Sequence, residues 1–277
     1  MFDLDEKKMA EVVSSFQIPV KPQILADMQS VLDENEPDID ALATLISSDV
    51  GLSSAILKII NSPFYGMNRR ISEIKQAVMM LGLKTITALV TALLLRSAFK
   101  GYASISLERF WDDSLDVANA MAFIGNQIKN KVPVDMLYTI GLFANCGIPL
   151  LALKFEDYKE ILIKANSQEE NSIGLEELHY RTNHAVLGYY VASSWNLPKE
   201  ICELILRHHE PSYLSNISGS NEQLAFAALK AAENMVERVK RHSISADWEE
   251  VKGSALDTLG ISVDDYQDLE DDFFELL

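Results

Sequence analysis

Leu45-Ile46-Ser47-Ser48-Asp49-Val50-Gly51-Leu52-Ser53-Ser54-Ala55-Ile56-Leu57-Lys58-Ile59-Ile60-Asn61-Ser62-Pro63-Phe64-Tyr65-Gly66 decides the fold of this chain. Ser48 or Asp49 can cap a helix that runs to Ile60, and Asn61 to Gly66 is turn chemistry holding two aromatics. The turn asks for structural roles. Asn61 or Ser62 bonds nearby backbone, Pro63 fixes one φ angle, and Phe64 or Tyr65 buries against neighbouring helices.

Upstream, Asp38 is an N-cap for a short helix carrying Ile39, Leu42, Leu45 and Ile46. Before it, Ile24, Leu25, Met28, Val31 and Leu32 form one helical face, and Phe2 to Phe16 reads as an amphipathic helix ended by Pro19 and Pro22. Downstream, Ser72 can cap a helix bearing Ile74, Ala77, Val78 and Leu81, with Gly82 where a left-handed residue would close it. The apolar run Ile86 to Leu95 is too short for a bilayer and suits a buried helix. Gly101 to Ser106 is the natural boundary between two halves.

The second half opens on a long helix from Leu107 through Ile128, then an uncharged stretch from Met136 to Leu153. That stretch reaches the lower edge of a spanning length, but Asn145, Gly147 and Pro149 break it, so a buried core segment is expected. Leu175 to Trp195 reads as one helix, Pro198 opens the next, and Glu222 to His242 is a final long one. No alternating β-branched runs occur, so the fold class is all-α, with segments 1–100, 101–242 and an acidic close at 243–277. In Asp264 to Leu277, seven acids interleave with Tyr266, Leu269, Phe273 and Phe274. This reads as a loosely docked helix dispensable for folding, or as a docking peptide for a basic partner.

The 277 residues are 48% hydrophobic, enough for one large core or two smaller ones. Forty-one acids against 24 Lys and Arg give a formal charge of −17, which repels nucleic-acid phosphates. Arg238-Val239-Lys240-Arg241-His242 is the one basic cluster, and Glu233 and Glu237 beside it make it a solvated helix face. No DNA, RNA or membrane partner is therefore expected. Cys146 and Cys202 sit in apolar helical stretches without disulfide or zinc spacing, which fits a reducing cytoplasm. Met1 to Lys8 is charged where a signal peptide needs an apolar core, so secretion is not expected.

Five histidines are the candidates for metal or acid-base work. His179 and His184 lie five apart, roughly 140° around one helix at about 100° per residue, and adjacent His208 and His209 point apart by the same rule. His184 with one of the later pair reads as hydrogen-bonded histidines near helix ends, or as a polar cleft.

The opening stretch, followed by Ile71-Ser72-Glu73-Ile74-Lys75-Gln76-Ala77-Val78 and Leu81-Gly82, closely resembles the N-terminal signature of HDOD domains. Ile18-Pro19-Val20-Lys21-Pro22-Gln23 looks like a degraded form of the family's opening. Trp111-Asp112-Asp113-Ser114, His184-Ala185-Val186-Leu187-Gly188, Trp195-Asn196-Leu197-Pro198 and Ile205-Leu206-Arg207-His208-His209 look like its second half. The resemblance covers about Ser15 to Pro211. It implies two helical lobes, the second similar to HD-superfamily phosphohydrolases, which hold a divalent metal through histidines and a His-Asp pair.

Where that pair would stand before Gly, this chain has Asn145-Cys146-Gly147, and Ser114 stands where an earlier histidine would follow the tryptophan. Neither Asn nor a buried thiol suits a hard-cation site. The expectation is a relic pocket of Ser114, Asn145, Cys146, His184, His208 and His209, with no metal, no cofactor and no catalytic residue. His208-His209-Glu210 also continues to Pro211-Ser212-Tyr213, not to the Gly-Tyr-Pro element of the cyclic-di-GMP phosphodiesterase branch.

The resemblance thus implies a non-catalytic bacterial signal-transduction module, a pseudoenzyme that works by binding signalling proteins. The alternatives are a phosphohydrolase or phosphodiesterase with a rearranged site using His184, His208, His209 and Glu177 or Glu210, and a nucleotide sensor that does not hydrolyse.

Overall fold

A computed structural model describes residues 12–62, 65, 69–128, 132–166, 172–216 and 221–276. The structure is 76% helical, with no strand among the described residues. The expected Phe2 to Phe16 helix lies mostly outside those residues, as does Pro63; a helical turn is seen over 12–14.

The chain divides into two units. One combines Val20–Ala98 with Glu270–Leu277. It holds α1 (Gln23–Leu32), α2 (Ile39–Ser47), α3 (Val50–Ile60) and α4 (Ile74–Ala98). The caps are those the sequence asks for: Asp38 accepts the amides of Asp40 at 2.8 Å and Ala41 at 3.2 Å, and Asp49 accepts that of Leu52 at 2.9 Å. Each capped amide is one of the helix-start donors that otherwise lack a partner. Leu42, Ile46, Ile56 and Ile60 are completely buried, and α2 and α3 both pack on α4. Gly82, at φ 81° and ψ 161°, breaks α4 where the sequence places a left-handed residue.

Asn61 turns out to be a clamp. Its amide donates to Leu57 O at 2.7 Å and Ile71 O at 2.8 Å, while its carbonyl accepts the Ile71 amide at 2.8 Å. One side chain therefore closes the loop from 61 to 71 on both strands of its neck. Asn61→Ala is expected to cost about 2 kcal/mol, because a part-buried N–H and C=O of Ile71 lose their partners; a urea midpoint equal to that of the parent chain would refute it. Tyr65 is half-buried, and burial pushes its phenol up to about 12.

The other unit combines the described residues before Val20 with Phe99–Leu269. It holds α5 (Leu107–Gln127), α6 (Val134–Phe143), α7 (Ile148–Lys154), α8 (Tyr158–Asn166), α9 (Ser172–Tyr180), α10 (His184–Ser194), α11 (Lys199–Arg207), α12 (Pro211–Asn216), α13 (Asn221–Arg241), α14 (Trp248–Leu259) and the first half of α15 (Val263–Leu276). Its early residues belong here because the Trp195 indole donates to Pro19 O at 2.9 Å. The centre is α13, whose Ala-rich face packs on α5, α6 and α14. Small side chains let these backbones approach closely, and Gly141 leaves no room for a Cβ against the Ala118 backbone.

Two local expectations change, while the break read in the uncharged stretch is present. The uncharged stretch is two helices, α6 and α7, joined by a turn at 144–147. Val134–Lys154 and Ile74–Ala98 are each apolar and long enough to cross a membrane by composition, but the first is 78% buried within the fold and both are broken. Leu175 to Trp195 is also two helices: Arg181 takes a left-handed φ of 58°, and the Asn183 side chain caps α10 by accepting the Val186 amide. Finally α14 lies beyond the helix read as the last one. Its signal was present in Trp248, Val251, Ala255, Leu256 and Leu259 at helical spacing, closed by Gly260 at φ 69°.

The acidic close is a helix with a firm seat. Tyr266 is 2% exposed, its hydroxyl donates to Ala231 O at 3.0 Å and accepts from Asn234 Nδ2 at 3.0 Å, and Phe273 is fully buried. The expectation that it is dispensable for folding therefore reverses. Tyr266→Phe should lower stability by about 1.5 kcal/mol through loss of the hydroxyl's bonds to Ala231 O and Asn234 Nδ2, read from thermal melts. Deletion of 264–277 should cost more. The basic cluster at the end of α13 is occupied too: Lys240 pairs with Asp113 at 2.7 Å and with Asp116, and Arg241 with Asp113 and Glu237.

Candidate functional site

The break between α9 and α10 makes His184 the first residue of a helix, with an amide that has no partner inside it. Glu176, on the buried face of α9 with Tyr180 one turn further on, supplies that partner. Its Oε2 accepts the His184 amide at 2.7 Å and lies 2.7 Å from His184 Nδ1, and its Oε1 accepts the Tyr158 hydroxyl at 2.5 Å. Burial raises the pKa of this carboxyl, but the His184 contacts and the Tyr158 hydroxyl outweigh it, and the pKa sits below the ordinary value. Tyr158 is held protonated, first by burial and then by Glu176 beside it.

His208 and His209 follow the last residue of α11 and lie in a turn, where a rotation of about 100° per residue does not apply. This corrects the expectation that they point apart. Their ring centroids are 4.1 Å from each other, and 5.4 and 4.9 Å from that of His184. His208 Nδ1 is 2.7 Å from Ile205 O, a pure acceptor, so Nδ1 carries the proton and Nε2 is bare. That Nε2 is buried without a hydrogen-bond partner. Burial, then the neighbouring His209, Lys230 and His184, push the His208 pKa well down, so the ring is neutral.

His209 Nδ1 lies 2.8 Å from Asp247 Oδ2, and His209 Nε2 faces His184 Nε2 at 3.0 Å. The pKa of His209 is lowered by burial despite Asp247. Asp247 stands at the N-cap of α14 yet makes no cap bond. Instead its Oδ2 also accepts from Lys230 Nζ at 2.9 Å, and the same ammonium reaches Glu233 Oε2 at 3.0 Å. Lys230 is 1% exposed in the middle of α13. Burial alone would discharge it, but Glu233 and Asp247 outweigh that and its pKa is raised. Asp247 is held well below the usual carboxylate range: burial opposes this, and His209 and Lys230 prevail.

Of the residues picked from sequence, His184, His208 and His209 come together. Asn145 reaches their surroundings through Glu233, its Nδ2 lying 3.4 Å from Oε1. Cys146 is fully buried, its Sγ 3.8 Å from Gly188 O, and burial pushes its thiol up. Ser114 donates to Phe110 O at 3.0 Å within its own helix. His179 bonds Leu175 O, Glu177 accepts from Asn183 and Glu210 pairs with Arg207, so none of the three joins the cluster. Asn61, Ser62 and Tyr65 belong to the other unit.

Sequence reasoning missed Glu176, Lys230, Glu233 and Asp247. Lys230 left a trace, as a lone cation inside Ala225-Phe226-Ala227-Ala228-Leu229-Lys230-Ala231-Ala232.

The family model described as "HDOD domain" matches residues 18–211, and the chain belongs to the HDOD family. An "Uncharacterized protein" of Treponema pallidum (strain Nichols) is 28% identical over 198 residues, 69% of this chain and 37% of that protein, so the chain spans just over a third of its relative. Among solved structures, an HDOD domain protein of Geobacter sulfurreducens shares 21% identity with a TM-score of 0.71, covering 99% of both chains. A candidate signal transduction protein of Marinobacter aquaeolei VT8 gives a TM-score of 0.77 at 16% identity, over 98% of this chain and 63% of that one. A candidate phosphohydrolase of Shewanella amazonensis SB2B gives 0.71 at 19%, over 96% and 93%. These likenesses carry the fold.

The hydrolase relatives of the family imply a divalent metal held partly by a His-Asp pair. The residues here do not fit that centre. Asn145 is engaged with Glu233, Cys146 is buried and protonated, and Ser114 is turned to its own helix. The two carboxylates nearest the imidazoles on α13 and α14 are already bridged by the Lys230 ammonium.

Proposed function

We propose that this chain is a non-catalytic signal-transduction module of the bacterial cytoplasm that acts by binding, with a signalling protein as its partner. The observation that supports this is the Lys230 ammonium lodged between Asp247 and Glu233, beside an Asn145-Cys146 pair that offers neither a carboxylate nor an imidazole. A hydrolase of this class activates water through the charge of a metal held by converging anionic and imidazole ligands. A fixed ammonium on those carboxylates offsets part of their charge and occupies the oxygens that a hard metal ion would need.

The second reading, a phosphohydrolase with a rearranged site, draws support from the three converging imidazoles and their carboxylate partners. Incubation of the full chain with cyclic dinucleotides and a generic phosphodiester, in Mg²⁺, Mn²⁺ or Zn²⁺, decides between the two. The binding reading expects no turnover above the metal-only control. Turnover that disappears in His184→Ala would overturn it. A thermal shift with cyclic dinucleotides but no turnover would assign the pocket to nucleotide sensing instead.

A further inference from the structure

We propose that His184, His208 and His209 form a three-nitrogen site for one borderline divalent transition ion of the Zn²⁺ class. A ring nitrogen from each of the three lies within 4.8 Å of the others. Such a site is an alternative to the metal-free relic pocket expected from the sequence, and it goes beyond the binding reading without depending on it.

The tautomers carry the argument. Nδ1 of His184 faces Glu176, Nδ1 of His208 faces the Ile205 carbonyl and Nδ1 of His209 faces Asp247, at 2.7, 2.7 and 2.8 Å. Carbonyls and ionised carboxylates only accept, so all three Nδ1 atoms hold their protons for donation. Three Nε2 lone pairs are thereby aimed inward. Two of them stand 3.0 Å apart, and the third is buried with no partner. A proton shared between His184 and His209 would relieve that pair and leave His208 Nε2 bare. A single metal ion satisfies all three.

The 3.0 Å between His184 Nε2 and His209 Nε2 is close to what such an ion needs. With metal–nitrogen bonds of about 2.0–2.1 Å, tetrahedral nitrogens stand about 3.3 Å apart. A backbone carbonyl and carboxylates behind the ligating imidazoles are also the usual outer partners of metal-bound histidines, fixing tautomer and ring orientation.

Charge points the same way. Glu176, Glu233 and Asp247 bring a formal −3, and Lys230 returns +1, so a divalent cation makes the cluster neutral. Leaving a net −2 among largely buried groups is costly. Lys230 also decides which ion fits: by holding Asp247 and Glu233 it withdraws the oxygen donors a hard ion would want and leaves a nitrogen-only set. The site discriminates against Mg²⁺ for that reason.

Co²⁺ titration of the chelator-stripped full chain, followed by visible absorption, tests this. The expected result is one equivalent bound with the intense ligand-field bands of a four-coordinate ion, displaced by Zn²⁺ and unaffected by excess Mg²⁺. His208→Ala and His209→Ala should each abolish the bands, His179→Ala should leave them, and Glu176→Gln should weaken binding by about 10- to 100-fold. Circular dichroism confirms that each variant is folded, and His209, the more exposed of the pair, serves if His208→Ala does not fold. A folded parent chain that binds no Co²⁺, or bands that survive both His208→Ala and His209→Ala, would overturn the proposal. Ion binding without phosphodiester turnover leaves both readings standing, whereas turnover overturns only the binding reading.

Discussion

Lys230→Ala is expected to lower the unfolding free energy by about 3 kcal/mol, the low end of the cost of removing one member of a buried ion pair. The ammonium is 1% exposed, whereas the side chains of Glu233 and Asp247 are 15% and 26% exposed, so water can partly re-solvate what is stranded. What remains is two like charges facing each other across α13 and α14, with His209 and Asn145 as their partners among the described residues. Adding Glu233→Gln and Asp247→Asn should recover much of the loss, because the destabilisation comes from uncompensated charge more than from missing packing. Urea titrations measure both changes, and a single-variant loss below about 1 kcal/mol would contradict the account.

The same residue predicts a pH profile. Asp247 is held below its ordinary pKa of about 3.9, so the unfolded chain binds that proton more readily than the folded one. Its contribution is therefore complete above that value and is lost as pH falls through it toward the folded pKa. In Lys230→Ala part of the force holding Asp247 ionised is gone, and stability should fall less steeply with acid below about pH 4.

Gly147→Ala is the second large effect, expected to cost on the order of 3 kcal/mol, because overfilling a tight contact forces backbone to move. Gly147 has an ordinary φ of −78°, so the glycine is there for space and not for conformation. A Cβ would overlap the His184 carbonyl oxygen and stand 2.8 Å from the Gly188 amide nitrogen. Both are backbone atoms of α10, which cannot swing aside as a side chain would. Relief requires the start of α10 to shift, and His184 would then leave Glu176 Oε2 and His209 Nε2 together. The imidazole NMR resonances of His184 and His209 should move along with the denaturation midpoint. Retained stability with unchanged imidazole signals would show that α7 and α10 are not locked at this contact.

Two acidic positions show how far sequence reasoning reached. Glu177 was the nearer guess and Glu176 is the residue at the site, although they are neighbours. One step along α9 turns a side chain by about 100°, which separates the buried stripe of Glu176 and Tyr180 from the side where Glu177 meets Asn183. The periodicity was readable, but which stripe faced inward was set by the packing of α9 on α8 and α10.

What the sequence determined by itself were features written in near neighbours. They include the Asp38 and Asp49 caps, the Gly82 break, the turn beginning at Asn61 and the all-helical class. These depend on interactions within a few residues, whose geometry is the same wherever the segment sits. Only the tertiary structure decided that His184, His208 and His209 converge, that Glu176 and Asp247 set their tautomers and that Lys230 carries its charge into the core. Those residues come from α9, α10, α13, the turn after α11 and the start of α14. No local spacing encodes their meeting, because it follows from how the close-packed helices around α13 bring distant side chains to one point.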